Sequence, residues 1–279
     1  MIIPILSGKG GTGKTTIATN LAVSVGKNVQ LLDCDVEEPN AHLFLKPAIK
    51  DRQSVFIQIP RIDKTKCSCC GKCQEVCAYN AVAVIKEDVL IFPELCHSCG
   101  ACSYFCPQKA IDEVDKEVGI VEFGVRDNLQ FVHGTMNVGE AISIPVIKSV
   151  KRYMNSTRTI IIDAPPGTSC PVIESVRGGD YCIIVTEPTP FGLNDFRLVV
   201  ELLRKLGLPF GVIINRSDLG DEQTEKFCME ESIPILMRIP FRREIALAYS
   251  QGKLIVEEMP EWRQEFQGLF KRVLERQLK

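Results

Sequence analysis

The 279-residue chain has no apolar run near the roughly 18 residues that a membrane-spanning helix requires, because each candidate meets charge, proline or glycine within about ten residues. No stable membrane insertion is therefore expected. A basic leader and a cleavage site are missing as well. Met1 to Gly8 is a short apolar run that breaks into glycines and lysine, which argues against a signal peptide and leaves a cytoplasmic location as the expectation. Nor is there an excess of charge of one sign. With a formal net charge of -2 the surface offers no broad attraction for phosphate backbones, so nucleic acid is not an expected partner. What the chain does have, 45% hydrophobic and 24% charged residues, suits a globular protein with one large core or a large core and a small one.

The thirteen cysteines do not read as a disulfide framework, because cytosolic thiols stay reduced and these are clustered. Nine fall between Cys67 and Cys106, a density that marks a metal module. Cys34, Cys170, Cys182 and Cys228 lie in apolar or strand-like segments and are expected to be small packing residues.

Outside the cysteine-rich segment, strands and helices alternate. Ile2 to Leu6 reads as a strand, Lys14 to Gly26 as a helix and Val29 to Asp33 as a second strand. Further strands are expected at Ile120 to Gly124, Leu129 to His133, Thr159 to Asp163, Tyr181 to Thr186, Phe210 to Asn215 and Ile235 to Ile239. Helices are expected at Gly139 to Asn155, Gly192 to Gly207, Gln223 to Glu231 and Glu261 to Gln277. Unbroken Val/Ile-rich strands between helices imply an α/β fold with a doubly wound, mostly parallel sheet covered on both faces. The rhythm stops over residues 61–112, where two similar halves each carry four regularly spaced cysteines and a short strand-like run. This pattern predicts a discontinuous body, 1–60 and 113–279, with an inserted domain between.

Gly8-Lys9-Gly10-Gly11-Thr12-Gly13-Lys14-Thr15-Thr16 follows a strand and opens a helix, the setting in which Gly-x-x-x-x-Gly-Lys-Thr is meaningful. Glycines let backbone N–H groups curl round phosphates, Lys14 reaches the β and γ phosphates, and the Thr15 hydroxyl can ligate Mg2+. With Lys9 inside the loop, the motif resembles the deviant Walker A of the MinD/ParA/Mrp superfamily. The resemblance implies a P-loop ATPase, slow or partner-stimulated, that dimerises with ATP at the interface and sends Lys9 across to the partner's nucleotide. It extends to Asp33-Cys34-Asp35, similar to switch I, where Asp35 would position the attacking water and Asp33 would support Mg2+. Asp163-Ala164-Pro165-Pro166-Gly167 resembles Walker B and switch II, with Asp163 at the Mg2+ shell. Asn215, at a strand end, resembles the residue that contacts adenine. Glu187 to Leu193 is similar to the loop that follows the preceding strand.

Cys67-x2-Cys70-x2-Cys73-x3-Cys77 and Cys96-x2-Cys99-x2-Cys102-x3-Cys106-Pro107 each reproduce the run of two-cluster bacterial ferredoxins. The fourth thiolate of each cluster comes from the other run. One [4Fe-4S] cluster is thus expected on Cys67, Cys70, Cys73 and Cys106, the other on Cys96, Cys99, Cys102 and Cys77. The insert is accordingly read as an α+β bacterial ferredoxin-like domain. Two zinc sites are the alternative. Ala78 stands where proline usually follows the first run, Cys69 is a spare thiol between ligands, and His97 is not an expected ligand.

Four functions fit this architecture to different degrees. An ATP-gated electron carrier, in logic like the nitrogenase iron protein, uses both modules and implies an unknown redox or client protein. An assembly factor of the Mrp kind shares the body, but its Cys-x-x-Cys after Cys106 is missing. A MinD-like spatial organiser would use Trp262, Phe266, Leu269, Phe270, Val273 and Leu274, flanked by Lys271, Arg272, Arg276 and Lys279, at a membrane; the stripe is expected to pack on the sheet instead. An amidoligase of the cobyrinic acid diamide synthase type would need a glutaminase domain for which the chain has no room.

Overall fold

The computed structural model describes residues 1–277. In chain order the first elements are β1 (Ile2–Leu6), α1 (Lys14–Val25), β2 (Val29–Asp33), α2 (Ala41–Leu45) and β3 (Ala48–Ile62). The cysteine-rich segment holds α3 (Lys72–Glu75), β4 (Val82–Ile85), β5 (Asp88–Ile91) and α4 (Ala101–Tyr104). Next come β6 (Ile111–Arg126), β7 (Leu129–Met136), α5 (Ile144–Lys151), β8 (Thr159–Asp163), α6 (Cys170–Val176), β9 (Cys182–Thr186) and α7 (Pro190–Lys205). The chain continues through β10 (Phe210–Asn215), α8 (Gln223–Glu230), β11 (Ile235–Ile239), α9 (Arg243–Ser250), α10 (Ile255–Glu258) and α11 (Glu261–Gln277).

Nine strands form one sheet in the order β11-β10-β9-β1-β8-β2-β7-β6-β3. Pairing is parallel from β11 through to β7, and β6 and β3 close that edge antiparallel. β2 and β9 are buried at every residue, as strands covered on both faces must be. On one face Ile3, Ile5, Leu31 and Ile161 pack with Leu21 of α1 and with Trp262, Phe266, Leu269 and Val273 of α11. On the other, Val146 and Ile147 of α5 and Phe196 and Val199 of α7 cover Ile162 and Ile184. The C-terminal stripe therefore packs inward, each large residue contributing about 1.5–3 kcal/mol of burial. Lys279, expected beside that stripe, lies outside the described residues. Among the described residues no helix is long and apolar enough to cross a membrane.

Several boundaries differ from the sequence reading. The expected strand Ile120 to Gly124 is the end of the 16-residue β6, which pairs along its length with the 15-residue β3 from Ala48↔Val125 to Ile62↔Ile111. β3 escaped notice because its first seven residues are exposed and carry no alternating pattern. The helix expected over Gly139 to Asn155 shortens to α5, since Gly139 adopts φ 88 and Pro145 belongs to the first turn. The short α9 and α10 were not anticipated. The cysteine-rich segment thus hangs from a long ribbon that is itself the edge of the main sheet.

Candidate nucleotide and cluster sites

β1 sits where the strand order reverses, with β9 on one side and β8 on the other, so a crevice opens beyond its carboxyl end. There the loop Gly8 to Gly13 joins β1 to α1. Its glycines are required by contact as well as conformation. A Cβ on Gly8 would lie 2.5 Å from the Asp195 carbonyl oxygen, and Gly13, at φ 100, would press one to 2.7 Å from Asn215 Nδ2. Gly10 and Gly11 face open space, Gly11 at φ 77. The Ser7 hydroxyl donates to the Lys9 carbonyl at 2.6 Å, folding the loop over β1.

Asn215 Nδ2 donates to the Thr12 carbonyl at 2.8 Å, and its Oδ1 accepts from the Arg216 N–H at 3.0 Å. The residue expected at adenine is thus engaged as a brace of the loop. Lys14 is buried at the start of α1 beside Thr15 and Thr16, while the Thr12 hydroxyl is buried without a partner. The Lys9 ammonium lies 3.4 Å from Glu187 Oε2, and Arg216 holds Glu187 Oε1 at 2.8 Å.

The aspartates converge because β2 and β8 are parallel and in register, with Asp33 opposite Asp163 at the ends of both strands. Asp33 accepts from the Asp35 and Ala41 backbone N–H groups at 3.1 and 3.0 Å. Burial, with the Asp163 charge added, holds its pKa well above the carboxylate range. Both Asp163 oxygens are buried without a hydrogen-bond partner. Burial pushes that carboxyl up to about 6 against the opposing pull of the Thr15 hydroxyl and the Lys14 ammonium. Asp35 rises to about 7 through burial and the Asp163 charge, offset in part by Lys14 and reinforced by Glu38 and Glu37. Among the described residues no three His, Cys, Asp or Glu side chains converge to hold a lone ion. One orphaned carboxylate beside a hydroxyl and a phosphate loop does suit Mg2+, which takes one or two carboxylates and fills its shell with waters and phosphate oxygens.

A neighbouring cluster gave no signal in the sequence. His133 on β7 pairs with Asp33 across the sheet, its Nε2 lies 2.8 Å from Glu122 Oε2 on β6, and its ring is 5.1 Å from that of His42 on α2. Burial lowers the His133 pKa, with Glu122 opposing. Only tertiary pairing brings these three together.

In the cysteine-rich segment, α3 and α4 each begin after a left-handed glycine, Gly71 and Gly100, and the β4–β5 hairpin packs Val82 and Val89 against Cys73. Two cavities follow. Cys67, Cys70, Cys73 and Cys106 line one, together with Cys69. Cys96, Cys99, Cys102 and Cys77 line the other, which is flanked by a Tyr79–His97 stack with centroids 3.6 Å apart. Each run's fourth cysteine turns into the cavity of the opposite run, and each accepts a backbone N–H: Ala81 to Cys77 Sγ at 3.2 Å and Ala110 to Cys106 Sγ at 3.3 Å. Burial pushes the Cys102 thiol up to about 11 and raises Cys73 and Cys96 too, so a positive centre is needed to hold them as thiolates. Of the scattered cysteines, Cys34, Cys182 and Cys228 are buried. Cys170, expected to pack, is exposed instead, because it begins α6 at the surface.

A family model described as the CobQ/CobB/MinD/ParA nucleotide binding domain matches residues 3–255. An uncharacterized protein of Methanocaldococcus jannaschii is 34% identical over 95% of this chain and 97% of its own length. The iron-sulfur cluster carrier protein of Pseudomonas fragi is 26% identical over 90% of this chain and 77% of its own. Among solved structures, the septum site-determining protein MinD of Pyrococcus horikoshii, complexed with Mg-ADP, aligns with a TM-score of 0.60 at 22% identity, covering 98% of this chain and 95% of that one. At that identity the likeness shows the fold alone.

Proposed function

The chain belongs to the CobQ/CobB/MinD/ParA nucleotide-binding family, and from that premise we propose an Mg2+-dependent ATPase that gates electron transfer to a partner protein. It works as a homodimer with ATP at the interface, and residues 61–112 form a ferredoxin-like insert for two [4Fe-4S] clusters. The observation that carries this reading is the pair of cavities, each lined by three thiols of one run and the fourth of the other. Zinc pairs ordinarily separate two Cys-x-x-Cys knuckles by a longer loop, which neither of these tight runs does. When bound, the clusters supply one-electron redox capacity.

The chain's own residues do the rest. The Gly8–Gly13 loop and Lys14 hold the phosphates, and Thr15, Asp33 and Asp163 would hold Mg2+. Asp35, part-buried and near neutrality, is placed to orient water. Lys9 leaves Glu187 when the partner's nucleotide arrives. The β3–β6 ribbon joins this site to the insert, so a shift of the 33–41 segment can reach the cysteines through one continuous sheet edge. A second reading, cluster delivery, is favoured by relatives named iron-sulfur cluster carrier proteins. Anaerobically purified protein should contain about eight irons and eight acid-labile sulfides per chain. Potentiometric titration should give different midpoint potentials with and without a non-hydrolysable ATP analogue. Stoichiometric zinc sinks the cluster assignment, and unchanged potentials together with cluster transfer to an apo acceptor favour delivery.

A further inference from the structure

The two cysteine runs of the insert share the same spacing, which makes their differences informative. Cys69 and Ser98 occupy the same step of the two runs and share a left-handed backbone, φ 51 and 55. At that step one half carries a thiol and the other a hydroxyl. Ser98 is tied down, its Oγ accepting the Gln58 N–H of β3 at 3.0 Å. Cys69 lines the first cavity beside the four expected ligands, so that five thiols face one space. Cys67 and Cys69 also line an adjoining open cleft with Lys64, Lys86 and Asp88. The counterpart of Cys67 in the second run, Cys96, is buried, whereas Cys67 is only half-buried.

We propose that Cys69 is an alternative ligand of the first cluster, exchanging with Cys67 at the corner that faces the cleft. The proposal rests on the cluster reading above. In the exchange the iron–sulfur bond to Cys67 breaks and one to Cys69 forms, while the proton of the Cys69 thiol passes to the departing Cys67 thiolate. No electron is transferred and no further reactant is needed. The second cluster has no such reserve, because the hydroxyl of Ser98 is committed to β3. An exchangeable corner open to a cleft gives an acceptor thiolate a place to enter, and it would confine any cluster delivery to the first site.

The test is an iron and sulfide count on anaerobically purified full-length variants. Cys67→Ala should retain the parent's content, about eight irons, whereas Cys96→Ala and the Cys67→Ala/Cys69→Ala pair should each fall to about four. A Cys67→Ala protein that loses as much iron as Cys96→Ala overturns the proposal. Because a ligand variant can fail to fold, the unmodified holoprotein provides a second measurement: brief anaerobic alkylation followed by peptide mapping. Label should appear on Cys67 in some chains and on Cys69 in others, never on both together, with cluster absorbance retained. Label on Cys69 alone overturns the exchange. A parent protein without eight irons would instead sink the cluster reading itself, so the two failures are distinguishable.

Discussion

The nucleotide end and the cysteine end of this molecule are stabilised by different physics. The body buries dozens of apolar side chains on both faces of its sheet, and its site is an electrostatic strain set into that core: two fully buried aspartates side by side, one with both oxygens unpartnered. In the insert Cys73, Val82 and Val89 form one small buried cluster with half-buried residues around it, and beyond it only small groups such as Ala81, Cys96 and Ala110 are buried among the described residues. A segment of 61–112 with so little apolar burial does not close its own stability balance, since small scaffolds usually need a staple. On the proposed reading, the body folds without its nucleotide, whereas the insert needs its clusters to hold its fold.

The largest expected effect follows from that contrast. Stripping iron anaerobically with a chelator should leave amides of β1, β8 and β9 slow to exchange, while those of 63–110 lose most of their protection. Equal protection in the stripped and loaded protein would show that the insert is held by its chain alone. Next in size is a separation of functions within the body. Lys14→Ala should abolish tight ATP binding without changing iron content, and Asp35→Ala should bind but hydrolyse at least about 100-fold more slowly, as loss of a water-orienting group implies. Similar loss of binding in both variants would contradict the roles assigned. Lys9→Ala should weaken ATP-dependent dimerisation measured by light scattering.

A smaller effect is set by pH. The Asp35 and Asp163 carboxyls have folded pKa values of about 7 and about 6, above their ordinary 3.8. A raised carboxyl contributes stability that is present below the unfolded value and lost as pH rises through the folded one. The nucleotide-free protein should therefore melt lower at pH 8 than at pH 5.5, and Mg-ADP should narrow the gap by neutralising the charges. Asp35→Asn should shrink the pH dependence without ligand. A melting temperature that rises with pH to the same extent in parent and variant would remove the electrostatic account of the site.

The body's strands were legible because β8 and β9 are near-continuous β-branched runs and β2 and β10 are largely apolar, a pattern that parallel burial imposes. The phosphate loop was legible because Gly-x-x-x-x-Gly-Lys-Thr follows a strand and opens a helix, whereas the close contacts of Gly8 with Asp195 and of Gly13 with Asn215 were not. What stayed hidden depends on pairing between distant segments. β3 has an exposed, charged first half that acquires its shape only from β6, and the Glu122–His133–His42 group exists only because β6, β7 and α2 meet. Asn215 shows the limit from the other side: its place at a strand end could be read, but not that its amide braces Thr12.

The smallest expected effect is the one that joins the two ends. Ala41 N–H, at the start of α2, donates to Asp33, and Asp33 sits opposite Asp163. The β3 strand begins just beyond α2 and runs along β6 into the cysteines. If the nucleotide-bound form prefers one position of this segment, then reduced and oxidised insert must differ in their affinity for that form by the same factor that the nucleotide shifts the redox equilibrium. A typical coupling of about 1–3 kcal/mol would appear as roughly 40–130 mV for a one-electron couple. Affinity for the ATP analogue should therefore change between about 5- and 150-fold between oxidised and reduced protein, in the sense that closes the thermodynamic cycle. The two measurements are independent, one by potentiometry and one by equilibrium binding, and each predicts the other. A potential shift without the matching affinity change would break the cycle and would mean that one of the two measurements was not made at equilibrium, because the reciprocity holds for any route. The sheet-edge ribbon is tested separately, by inserting two glycines into the middle of β3 at Gln53: the coupling should fall while iron content and ATP binding, as controls, stay at the parent's values.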